Sequence, residues 1–66
     1  MSAPMTLTHG LAGALRTLAR HGEVLPRDPR LRARLRHLVA CGMAGSEPDG
    51  TVWITNAGMQ WVRENG

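Results

Sequence analysis

Residues Asp28 to Gly42 read DPRLRARLRHLVACG, and the fold turns on them. Asp28 is a good N-cap, and Pro29 suits the first helical position, where its missing N–H would be unpaired anyway. Leu31, Leu35, Leu38 and Val39 follow at i, i+4, i+7 and i+8, one apolar stripe at helical period. Gly42 stops the run. The stretch predicts a helix to about Cys41 that buries its leucines and turns a cationic face outward. Arg30, Arg32, Arg34, Arg36 and His37 make up that face. In helical projection Arg36 and His37 point most directly away from the stripe, with Arg32 and Arg34 at its borders. Border arginines lay their stems on apolar surface and carry the head into water.

Working outward toward the N-terminus, Pro26 holds Leu25 extended, so Glu23 to Leu25 suit a short strand. Before it, Leu7, Leu11, Ala14, Leu15 and Leu18 recur at helical spacing. Thr6 or Thr8 can cap that helix, and His21-Gly22 ends it. Gly10 and Gly13 each weaken it by roughly 1 kcal/mol relative to alanine. Toward the C-terminus the period changes. Met43 to Glu47 can be extended, Pro48-Asp49-Gly50 is turn chemistry, and Thr51 to Thr55 is β-branched almost throughout. Val52 and Ile54 then share one face, and Trp53 takes the other. Thr55 or Asn56 caps a closing helix in which Ala57, Trp61 and, less clearly, Met59 and Val62 face inward.

The 66 residues allow one domain, with residues 1–5 as a loose tail and 6–66 as the folded unit. There is no Phe or Tyr, so Leu, Val, Ile, Met, Ala and two tryptophans must make the core. The single cysteine cannot form an internal disulfide. No apolar run reaches membrane-spanning length and no signal peptide is legible, so a cytoplasmic protein is expected. Net charge is +3, and five of the eight cationic side chains, all arginine, lie between Arg27 and Arg36. Such asymmetry points to an anionic partner, although a solvated helix face would look the same.

The expected fold class is α+β, in the order helix, short strand, helix, β-hairpin, helix. That order resembles the winged helix-turn-helix family. The phrase Asp49-Gly50-Thr51-Val52-Trp53-Ile54-Thr55-Asn56-Ala57-Gly58 is similar to the end of a bacterial regulator's wing. RLRHLVACG, Arg34 to Gly42, is similar to a recognition helix running into that wing. The resemblance implies that the helix over 28–41 enters the major groove of double-stranded DNA, with Arg30, Arg32, Arg34 and Arg36 as contacts. Three to four neutralised phosphates imply a log–log salt slope near −3 to −4. Two features depart from the family. Between strand and wing there is room for one proper helix only, so the supporting helix is missing or reduced to a turn near Arg27–Arg30. The wing tip, Glu47-Pro48-Asp49-Gly50, carries two acids and no arginine.

Other candidates are weaker. His37 and Cys41 lie four apart on one helix, but zinc needs three or four ligands and the sequence offers no second cluster, so no metal and no cofactor is expected. Carboxylates form no facing pair, neither serine has a base, and no glycine-rich phosphate loop follows a strand, which argues against an enzyme. Trp53 faces outward if Val52 and Ile54 face the core. It can lie under the tail or closing helix, or anchor a partner or a homodimer. Two functions therefore stand: a DNA-binding regulatory protein, or an adaptor that uses the hairpin and Trp53 against an acidic protein surface.

Overall fold

A computed structural model describes residues 7–65. The tail expected over Met1–Met5 lies outside the described residues. The chain forms α1 (His9–His21), β1 (Glu23–Val24), α2 (Pro29–Ala40), β2 (Ala44–Ser46), β3 (Val52–Ile54) and α3 (Asn56–Asn65). This is the α+β order read from the sequence.

Local chemistry sets each boundary. Thr8 caps α1, its hydroxyl oxygen accepting from the Leu11 N–H at 3.3 Å. Gly22 closes α1 at φ 81°, its N–H donating to the Leu18 carbonyl at 2.7 Å. Asp28 caps α2 by accepting from the Arg30 N–H at 3.2 Å. At the other end Gly42 sits at φ 80° and donates to Val39 at 3.0 Å, while Met43 donates to Leu38 at 2.9 Å. This paired closure leaves Met43 and Leu38, both buried, on the same side of the helix exit. The hairpin turns through Pro48, Asp49 and Gly50. The Gly50 N–H donates to Glu47 at 2.9 Å, Glu47 donates to Thr51 at 2.8 Å, and Gly50 takes φ 97°. It is a type I turn followed by a glycine bulge, the common three-residue hairpin loop.

The sheet is antiparallel, in the order β1-β3-β2. Trp53 in the central strand pairs with Glu23 on one side and Gly45 on the other. Leu15 and Leu18 of α1 and Leu35 and Leu38 of α2 are at most 1% exposed, and Ala14, Met43, Ala44 and Val52 close around them. Only four residues, Leu25 to Asp28, link β1 to α2, so no helix precedes α2 there. Arg32 donates to the Pro26 carbonyl at 3.3 Å and ties this link to the helix.

One residue holds three elements together. Thr55 donates its hydroxyl to the Gly42 carbonyl at 2.7 Å and its N–H to the Met43 carbonyl at 3.1 Å. Its hydroxyl oxygen accepts from the Gly58 N–H at 3.2 Å, making Thr55, not Asn56, the cap of α3. The inward face of α3 differs from the sequence reading. Ala57 and Met59 are exposed, and Gly58 is buried, with Trp61 and Val62 half-buried against the core. The reason is steric. α3 approaches so closely that a Cβ at residue 58 would overlap the Met43 carbonyl and Ile54, which rotates the helix to put glycine at the contact.

Candidate nucleic-acid interface

All five basic residues singled out on α2, namely Arg30, Arg32, Arg34, Arg36 and His37, are exposed. They do not form one face. Arg34 leans toward α1, where its guanidinium fills the space that a side chain at Gly10 would take. A Cβ at Gly10 would need only a small shift of that flexible arginine head, and Gly13 faces open space. Arg30, one turn before Arg34, lies on the same side by helical spacing. Arg32 and Arg36, also one turn apart, lie on the opposite side and face the hairpin. The projection had put Arg36 beside His37 on the outermost line; in the structure it joins Arg32 as the wall of a cleft. The outermost strip is left to Ala33, His37 and Ala40, all exposed.

That cleft opens between α2 and the hairpin tip and has a volume of about 430 Å³. Arg32 and Arg36 line one wall, and Glu47 and Asp49 the other. Pro26, Val39 and Val52 contribute apolar lining, joined by Leu25, which is 55% exposed. Among the described residues none of the α2 arginines is ion-paired with a carboxylate. Asp49 is engaged otherwise: its Oδ1 accepts from the Thr51 N–H at 2.9 Å. That backbone bond, helped by the Thr51 side chain, holds the Asp49 carboxyl below its ordinary value of 3.8. The sequence could not show this cleft, because its walls come from separate elements. The Arg32–Arg36 spacing and the acidic turn were its visible halves.

Trp53 lies on the face of β3 away from the helices and remains 38% exposed. The indole ring spreads across Gly45 of the neighbouring strand, where any side chain would collide with it. An aromatic ring shields a cross-strand glycine and so stabilises a pair that the glycine alone would weaken. Trp61 is half-buried, with the Arg16 guanidinium 5.9 Å from its ring centroid. Such a stack is worth roughly 0.5–1 kcal/mol at an exposed site.

His37 and Cys41 are both exposed, and no group of three or more His, Cys, Asp or Glu converges among the described residues. No described helix is long and apolar enough to cross a membrane. No protein-family model, curated protein or solved structure matches this chain.

Proposed function

We propose that this chain is a reduced winged helix-turn-helix protein that binds double-stranded DNA through α2, as a regulatory or accessory factor and not an enzyme. The observation that carries the reading is the division of the arginines about the outer strip of α2. An α-helix with its side chains is roughly 10–12 Å across, and the major groove is about 12 Å wide. In that groove Ala33 and Ala40 would let the helix approach the base edges. Arg30 and Arg34 would meet one phosphate backbone, and Arg32 and Arg36 the other. His37, at the centre of the strip, would face the bases. One short helix covers few phosphates, so binding as a homodimer on paired half-sites about one helical turn apart fits the size of the chain.

Fluorescence anisotropy of a labelled generic duplex, titrated with the full chain at several salt concentrations, tests this reading. Binding should weaken with a log–log slope of about −4 if all four arginines engage phosphate, and about −2 if one pair does. No binding at low salt and high protein concentration would end the DNA reading. The adaptor reading then stands in its place. It draws support from the indole of Trp53, 38% exposed on the outer face of the sheet. In that case Trp53→Ser removes partner capture.

A further inference from the structure

We infer that Glu47 and Asp49 at the hairpin tip act as an intramolecular phosphate mimic. They draw on the field of Arg32 and Arg36 and leave Arg30 and Arg34 as the dominant DNA contacts. The inference rests on the DNA reading and refines it by ranking side chains that look equivalent in the sequence. Its ground is geometric. Glu47 and Asp49 on the hairpin and Arg32 and Arg36 on α2 line one open cleft. Charges that share a cleft of about 430 Å³ act on one another through solvent, since the screening length is about 10 Å at 0.1 M. Yet they are not fused into ion pairs: Arg32 spends one guanidinium nitrogen on the Pro26 carbonyl, and its other donors remain to exchange one anion for another. Arg30 and Arg34 lie on the α1 side, where none of the cleft carboxylates faces them.

A phosphate entering on the hairpin side meets both attraction and repulsion. The arginines draw it in, and the tip, anchored by the Asp49–Thr51 hydrogen bond, presses two like charges against it. A phosphate on the α1 side meets no hairpin carboxylate, and the acid nearest Arg30 in sequence, Asp28, is bound by the Arg30 N–H at 3.2 Å. The hairpin thus has the opposite sign to a DNA-gripping wing. It weakens non-specific contact on one flank and tilts the docked helix toward the other.

The experiment compares full-length wild type with Glu47→Gln/Asp49→Asn in the same duplex titration. The asparagine keeps an oxygen to accept from the Thr51 N–H, and thermal melting verifies that each variant is folded. Each background also receives the pair Arg30→Gln/Arg34→Gln or the pair Arg32→Gln/Arg36→Gln. Removing the two carboxylates should tighten binding about fivefold and steepen the salt slope from about −2 toward about −4. In wild type the Arg30/Arg34 pair should cost more affinity than the Arg32/Arg36 pair. In the neutral-tip background the two pairs should cost the same. Equal costs in wild type, or unchanged affinity on neutralising the tip, would overturn the inference while leaving DNA binding intact. Binding by the neutral-tip variant alone would also overturn it, because Arg30 and Arg34 would then not suffice as contacts in the wild type. If neither protein binds, the DNA reading falls and this refinement falls with it.

Discussion

Gly58 contributes no side chain to the core, yet it is the buried position of α3. A methyl group there would meet the Met43 carbonyl, which is fixed because it also accepts the Thr55 N–H. Backbone cannot give way as a flexible side chain does. Gly58→Ala should therefore destabilise the fold by about 2 kcal/mol, despite alanine's better helix propensity. Urea unfolding followed by tryptophan fluorescence measures this, and a neutral or stabilising result would mean that α3 packs more loosely than described. Gly58 also marks a limit of sequence reading. Apolar periodicity is blind to glycine, so it assigned Ala57 and Met59 to a face that close approach gives to Gly58. The same blindness hid Gly45 beneath Trp53. The punctuation residues were legible, because Thr8, Gly22, Asp28, Pro29 and Gly42 act through their own backbone and need no partner elsewhere in the chain.

Among the elements, the hairpin shows how a turn carries its own charge chemistry. The Thr51 N–H bonds more strongly to the Asp49 carboxylate than to its protonated form, and that preference depresses the carboxyl pKa below 3.8. A lowered folded-state pKa gives a contribution that is fully present above the unfolded value and is lost as pH falls through the folded one. The Thr51 amide should therefore keep the chemical shift of its charged-acceptor bond as pH falls to 3.8 and move with a midpoint at lower pH. NMR titration of the amide reads this directly, and a midpoint at or above 3.8 would contradict the bond. α2 offers the complementary case. Its existence, limits and buried stripe could be read from spacing alone, since a helix is a local structure. The separation of Arg30 and Arg34 from Arg32 and Arg36 could not, because it depends on α1 lying against one flank and the hairpin beside the other. The candidate residues were legible from the sequence, but not their grouping.

The whole molecule draws its stability from a small store. Four leucines, two from each of α1 and α2, are the largest side chains completely removed from water. No disulfide is available to Cys41 within the chain. A domain this small has roughly 3–5 kcal/mol in hand, and truncating one such leucine to alanine removes about 3 kcal/mol. Leu38→Ala should leave a large unfolded fraction at 37 °C, with the loss of α1 and α2 signals coinciding because both helices share one core. Circular dichroism and amide exchange test this together, and survival of α1 alone would show that the helices are not one cooperative unit.

The brevity of the strands has a further consequence. The two edges of the sheet are β1, with two residues, and β2, with three. Aggregation by edge-to-edge pairing, and recruitment of a partner as an added strand, both need a longer row of free backbone groups. Despite its exposed Leu25 and Trp53, the chain offers little template for amyloid-like growth. Among the described residues, side chains and not strand edges are what the surface offers a partner.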